Sequence, residues 1–202
     1  MKTTALLIFL LTTSICLMGQ QSGTLDSQML NKLIRENKQK LKSSLIKELA
    51  PSFSIQDIGG KKVSLDDYKG KVVVLDFWAT WCMPCKAVFP IMQATIEHYR
   101  NDTGVAFLFI HTKEKNGNAA EEVRKYFSNN PQYNFHVLMD LKGKNTQNNE
   151  VANAYNVAGI PVKIVIDRQG YIRFKMVGSG NHSDIMGETA HLSAMIELAE
   201  DE

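Results

Sequence analysis

Cys82 and Cys85, two of the three cysteines of this chain, lie three positions apart in the segment WCMPC, residues 81–85. The near-continuous apolar run before them, residues 72–78, predicts a strand buried on both faces, and residues 85–99 predict a helix. A cysteine at the start of a helix lies near N–H groups without intrahelical partners, and their partial positive charge favours the thiolate. Because only the thiolate attacks a disulfide, Cys82 is the predicted attacking group.

Cys85 lies about one helical turn beyond Cys82, so its sulfur can reach back and resolve a mixed disulfide. Pro84 has no N–H to lose in the first turn of a helix, and its ring stiffens the loop. Pro90 lies inside the helical stretch and predicts a kink there. The pattern therefore indicates a dithiol that exchanges disulfides.

Two other uses of these cysteines are weaker interpretations. Half of a zinc site has the same spacing, but the five histidines form no second closely spaced pair of ligands: His98, His111, His136, His182 and His191. A thiol peroxidase uses a single thiolate stabilised by a threonine and an arginine. Thr80 lies two residues before Cys82, but no arginine lies close by in sequence.

The composition is that of one soluble globular domain with short extensions. The 202 residues are 44% hydrophobic and 22% charged, which is enough to bury a substantial core. The formal net charge of +2 is too small to indicate nucleic acid or a strongly acidic partner, and no cluster of lysines and arginines is interleaved with aromatic residues.

The N-terminus predicts export. Lys2 precedes an apolar run at residues 5–11, which is shorter than the roughly 20 residues of a membrane-spanning helix and typical of a signal-peptide core. Cleavage after Gly19 makes residues 1–19 the signal peptide; the alternative is an anchor, uncleaved or lipidated at Cys16, although the bulky Ile15 fits a lipidation site poorly. The mature protein would then keep only the active-site pair, whose loop is too short to stabilise a fold. Because a purely structural disulfide is disfavoured, a redox role for Cys82 and Cys85 becomes the better interpretation.

Residues 25–49 predict a helix with an apolar stripe and several lysines, within a helical extension at residues 20–50 that precedes a domain at residues 51–202. A basic amphipathic helix can lie on a membrane surface. A spacer, or a helix packed on the domain, is the interpretation we favour.

The rest of the chain alternates strands with helices, which predicts an α/β fold with a mixed sheet. A hairpin is expected over residues 53–65, and further strands over 105–110, 135–139, 162–167 and 171–177. Helices are expected over residues 121–127, 149–155 and 184–200.

Residues 74–86 resemble the active-site strand and helix start of the thioredoxin superfamily. Within it, residues 50–53 and 60–71 resemble the TlpA/ResA group of exported, membrane-associated thiol–disulfide oxidoreductases, as does an extra helix and strand at residues 118–140. The similarity covers residues 49–200. It implies a thioredoxin-like fold: a central mixed β-sheet flanked by helices, with an N-terminal hairpin extension and an inserted helix–strand unit.

The resemblance assigns roles to five residues. Cys82 is the attacking and Cys85 the resolving cysteine, and Pro161 matches the cis-proline that faces the disulfide. Ile160 then offers backbone groups to a substrate strand. Asp76 matches a buried acid beneath the pair, and a desolvated carboxylate with a raised pKa can take the proton of Cys85.

Trp81, Met83 and Pro84 complete the expected substrate contacts, and three departures from the family stand out. Val162 and Lys163 follow the proline where threonine is common. Ala87 and Val88 lie where ResA-like proteins carry a glutamate. Phe107 lies where thioredoxins carry a lysine, so Asp76 is expected to act alone.

The resemblance implies an enzyme that keeps extracytoplasmic protein thiols reduced, for example in cytochrome c maturation. The external milieu is oxidising, so a membrane thiol-transfer protein must supply electrons. We expect a periplasmic monomer with no metal and no cofactor beyond the Cys82–Cys85 disulfide. A disulfide oxidase or isomerase, a thiol peroxidase and a non-catalytic metal-handling module are the alternatives.

Overall fold

The computed structural model describes residues 26–115, 118–141 and 149–202. The predicted signal peptide, residues 1–19, lies outside the described residues. Within the described ranges, no helix is both long and apolar enough to span a membrane.

Helices and strands alternate along most of the chain. The strands are β1 Glu48–Leu49, β2 Ser54–Asp57, β3 Lys62–Ser64, β4 Val72–Trp78, β5 Val105–His111, β6 Val137–Met139, β7 Val162–Ile166 and β8 Tyr171–Val177. The helices are α1 at residues 26–41, α2 Met83–Ala87, α3 Phe89–His98, α4 Ala119–Ser128, α5 Glu150–Ala154 and α6 Ile185–Glu200.

The described strands form one mixed sheet in the order β1-β8-β7-β4-β5-β6-β2-β3. The pairs β4–β5 and β5–β6 are parallel, and the other neighbouring pairs are antiparallel. All seven residues of β4 are buried, as the apolar run predicts for a central strand covered on both faces. The α/β fold, the mixed sheet and the hairpin β2–β3 are confirmed.

Side chains alternate across β4 and divide the core into two layers. Val72, Val74 and Trp78 face the layer that also contains the two cysteines and buried residues of α3 and α6. Val73, Leu75 and Phe77 face the layer covered by α5. The redox pair therefore packs against the first of these faces.

The helix predicted at residues 25–49 is wrong over its last eight residues. Helix α1 ends at residue 41, and a 3-10 turn follows at Lys42–Ser44. Strand β1 then pairs with β8, with Leu49 opposite Tyr171. The hydrogen bonds of this strand pair compete with helical ones, and the partner strand β8 lies more than a hundred residues further along the chain.

Helix α1 packs on the domain, as the favoured interpretation expects. Ile34 is 2% exposed and lies against Ala190 and Ala194 of α6. The Nζ of Lys38 in α1 lies 3.1 Å from the Oε2 of Glu197 in α6. The apolar stripe of α1 is therefore used inside the protein.

The kink predicted at Pro90 is confirmed. Helix α2 ends at Ala87, Val88 caps both helices, and Pro90 lies in the first turn of α3. A proline costs no hydrogen bond in that position, so the chain starts a new helix there.

Candidate active site

Cys82 and Cys85 form a disulfide at the N-terminus of α2. Cys82 is the N-cap residue, and its Sγ accepts a hydrogen bond from the backbone N–H of Cys85 at 3.2 Å. The sulfur therefore receives an N–H that the helix leaves without an intrahelical partner, and this contact favours a thiolate after reduction.

The predicted substrate contacts Trp81, Met83 and Pro84 surround the pair. Pro84 lies in the first turn of α2, and the exposed fractions of Trp81 and Met83 are 42% and 68%. The Trp81 indole donates from Nε1 to the carbonyl of Lys113 at 3.0 Å, and the Lys115 ammonium lies 4.3 Å from the ring centroid. An exposed apolar surface thus flanks the buried disulfide.

The Ile160–Pro161 peptide bond is cis, as the resemblance implies. In the antiparallel pairing of β4 with β7, Phe77 lies opposite Val162. Pro161 therefore lies level with the end of β4, from which the chain runs into the cysteine motif. The cis-proline and the disulfide lie at the same edge of the sheet.

Asp76 lies on β4 with its side chain only 1% exposed. By the alternation along the strand, it faces the same layer as Val74 and Trp78, which is the layer of Cys85. Within the described part of the chain, neither carboxyl oxygen of Asp76 has a hydrogen-bond partner. Burial raises the pKa of Asp76 to about 6, and the nearby Lys163 opposes that rise.

Lys163 corrects the expectation that Asp76 acts alone. It lies directly opposite Asp76 on β7, and its Nζ is 3.9 Å from Oδ1 of Asp76, with both side chains buried. The cation that pairs with Asp76 therefore comes from β7, the strand after the cis-proline. Thioredoxins carry it on the strand that corresponds to β5, where this chain has Phe107. Val162-Lys163, a departure from the family pattern, supplies this cation.

A small cavity of about 20 Å³ lies next to Lys163. Val88, Met176, Gly178 and Glu188 contribute to its lining. A space of this size is enough for about one water molecule. Lys163 therefore lies beside a space that can hold water.

A second buried acid near the motif was missed by the sequence reasoning. The Thr80 hydroxyl donates to Oε2 of Glu114 at 2.6 Å, and the same oxygen lies 3.1 Å from Nε2 of His111. His111 ends β5, which runs parallel to β4. Because the carboxyl ends of parallel neighbours meet at one edge of the sheet, polar residues following β5 could have been placed near the motif.

The arrangement of Thr80 disfavours a thiol peroxidase. That chemistry requires the threonine hydroxyl to face the thiolate, whereas this hydroxyl donates to Glu114. For metal binding, the described residues contain no group of three or more histidine, cysteine, aspartate or glutamate side chains that could hold an ion.

Comparisons with known proteins agree with this geometry. Residues 46–175 match the AhpC/TSA family. The chain is 35% identical over 130 residues to the thioredoxin-like protein YneN of Bacillus subtilis (strain 168), which covers 64% of this chain and 70% of YneN. It is 32% identical over 136 residues to the thiol-disulfide oxidoreductase ResA of the same organism, covering 67% of this chain and 69% of ResA.

A solved structure shows the same fold. The thiol:disulfide interchange protein of Chlorobium tepidum TLS, a thioredoxin family protein, matches with a TM-score of 0.57 and 27% sequence identity. The match covers 74% of this chain and 97% of that protein.

Proposed function

We propose that this chain reduces disulfides in extracytoplasmic proteins. The premise is that the chain belongs to the AhpC/TSA family and is a thiol–disulfide oxidoreductase of the thioredoxin fold. One observation carries the proposal. A disulfide at a helix N-terminus lies at the same sheet edge as a cis-proline, between exposed apolar side chains.

The reaction begins with the reduced pair. The Cys82 thiolate attacks one sulfur of a substrate disulfide, so a Cys82–substrate disulfide forms and the other substrate sulfur leaves as a thiolate. Cys85 then loses its proton and attacks the sulfur of Cys82. This step releases the second substrate thiolate and restores the Cys82–Cys85 disulfide, so two electrons pass to the substrate.

Asp76 is the proposed acceptor of the Cys85 proton. With a pKa raised by burial to about 6, its carboxyl group gains and loses a proton near neutral pH. The absence of hydrogen bonds to its oxygens, within the described residues, leaves them able to accept a proton. Lys163 stabilises the carboxylate from a distance of 3.9 Å.

The substrate is proposed to bind across the exposed edge. Trp81 and Met83 offer apolar contact, and the backbone of Ile160, next to the cis-proline, is proposed to pair with an extended substrate segment. Pairing through backbone hydrogen bonds allows substrate segments of many different sequences to bind, because side chains do not take part in it.

The proposed location outside the cytoplasm rests on the apolar run at residues 5–11 and on the resemblance to the TlpA/ResA group. In that oxidising environment the pair needs a membrane thiol-transfer protein as electron donor. Cytochrome c maturation, in which haem-binding cysteines must be reduced, is the process that the resemblance suggests.

Insulin reduction tests this function. The chain from residue 20 onward, supplied with a small dithiol, should reduce insulin disulfides catalytically. Cys82→Ser should abolish turnover, and Cys85→Ser should accumulate a mixed disulfide because nothing resolves it. Turnover that survives Cys82→Ser would contradict the proposal.

A further inference from the structure

Thr80, His111 and Glu114 form a buried polar cluster beside the cysteine motif. Side-chain exposure is 1% for His111 and 7% for Glu114. Three donors converge on the Glu114 carboxylate: the Thr80 hydroxyl and His111 Nε2 on Oε2, and the backbone N–H of Lys115 on Oε1 at 3.0 Å. The chemistry described above uses none of these groups.

The hydrogen bonds define the charge of this cluster. Burial alone would raise the pKa of Glu114, but the bonds from Thr80, the Lys115 N–H and His111 outweigh it and lower that pKa. Burial also lowers the pKa of His111. An ionised carboxylate only accepts, so the neutral imidazole donates through Nε2. The cluster therefore holds one buried negative charge.

This charge is attached to the active-site loop. Thr80 lies two residues before Cys82, which limits their Cα separation to about 7 Å. The segment that carries Glu114 also holds the loop through the Lys113 carbonyl, which accepts from Trp81. Lys113 has a φ of 54°, an unusual conformation for a lysine that this packing maintains.

We propose that Glu114 is a positioning residue for Cys82: it ties the active-site loop to the end of β5 through Thr80 and places a buried negative charge next to Thr80, two residues before the attacking cysteine. A negative charge disfavours a second one nearby, so the Cys82 thiolate is less stable than the helix N-terminus alone would make it. A less stable reduced form gives up its electrons more readily, which makes the pair a stronger reductant. This inference rests on the proposed exchange through Cys82.

Other charges also lie near the motif. Lys115 lies over the Trp81 ring and Lys86 over the Tyr126 ring. Neither ammonium is fully buried, so water and salt screen them more than the enclosed Glu114 carboxylate. In the same core layer as the cysteines, Asp76 and Lys163 form a pair of opposite charges when Asp76 is ionised.

The test is Glu114→Gln, which keeps the size of the side chain and removes its charge. The Cys82 thiolate pKa, followed by ultraviolet absorbance of the thiolate, should fall. The redox equilibrium with glutathione should move about tenfold toward the dithiol, which corresponds to roughly 30 mV for a two-electron couple. Glu114→Asp should stay near the wild type in both measurements, and so should Glu121→Gln, the same charge change at an exposed site on α4.

Wild-type values in Glu114→Gln would overturn the inference. Thr80→Val breaks the tie to the loop and removes a hydrogen bond that keeps Glu114 ionised, and it decides the matter if the glutamine variant does not fold. It should slow exchange several-fold and lower the Cys82 thiolate pKa, as Glu114→Gln does, and wild-type values of both would count against the proposal. Both redox readouts need no protein substrate, so they remain interpretable even if insulin reduction fails.

Discussion

Two buried aspartates of the same sheet region, Asp76 and Asp140, differ in what surrounds their carboxyl groups. Asp76 is 1% exposed and Asp140 is 2% exposed. Asp140 accepts from the N–H groups of Val151 and Ala152 at 3.0 Å each, and from the Thr112 hydroxyl at 2.9 Å. Asp76 has no hydrogen-bond partner in the described ranges and only the Lys163 ammonium at 3.9 Å.

The contrast separates a structural acid from a chemical one. Asp140 joins the end of β6 to the first turn of α5, where the helix has N–H groups without partners. Asp76 has no such use, and a buried carboxyl group without hydrogen bonds is costly to keep. Burial raises the pKa of both carboxyl groups; hydrogen bonds oppose the rise at Asp140, and the value of about 6 at Asp76 suits proton exchange near neutral pH.

The largest expected effect is the loss of stability when the structural acid, Asp140, is removed. Asp140→Ala leaves two backbone N–H groups and a hydroxyl without their acceptor, and should lower the free energy of unfolding by about 4 kcal/mol. Urea denaturation of the oxidised protein measures this loss. Asp66→Ala, at an exposed aspartate, is the matched control and should change stability by less than about 0.5 kcal/mol. A similarly small loss in Asp140→Ala would erase the distinction.

The next largest expected effect is the change of stability with pH that Asp76 causes. Its pKa is about 6 in the folded chain against 3.8 as the ordinary value, so the folded state binds the proton more tightly. The stability from this group is complete below about pH 4 and is lost as pH rises through about 6, by about 3 kcal/mol. Denaturation across this range should show the decline in the wild type and a clearly smaller decline in Asp76→Asn, where the raised pKa of Asp140 still contributes. Parallel curves would mean that Asp76 titrates normally.

The smallest expected effect is kinetic. Asp76→Asn should slow disulfide exchange about tenfold near neutral pH, because Cys85 loses its proton acceptor. Lys163→Met keeps the acid and removes the cation, so the pKa of Asp76 should rise and the increase in rate with pH should move to higher pH. Stopped-flow measurements of exchange against pH separate the two variants. Identical profiles for both variants and the wild type would exclude Asp76 from the reaction.

Local patterns predicted most of the elements that hold the cysteines. The apolar run of β4, the cysteine spacing and the break at Pro90 each depend on residues close in sequence, and the structure confirms them. The end of α1 depends on pairing of residues 48–49 with β8, a two-residue contact that has no periodic signal.

The chemistry around the cysteines was harder to predict because it depends on register. Lys163 meets Asp76 only through the antiparallel pairing of β7 with β4, which residue spacing does not reveal. Glu114 follows β5 by three positions, and its burial arises from contacts with Thr80 and His111 across the sheet edge. The cysteines and the buried Asp76 could be predicted from the sequence, whereas the contact of Lys163 with Asp76 could not.

The reduction potential of the Cys82–Cys85 pair tests the central claim most directly. Equilibration with glutathione or a reference dithiol, followed by quantification of both forms, gives its value. A reductant should lie near thioredoxin, at roughly −270 mV, where the dithiol readily passes its electrons to substrate disulfides. A value near −120 mV, as in a strong oxidase, would contradict the proposed direction of electron flow.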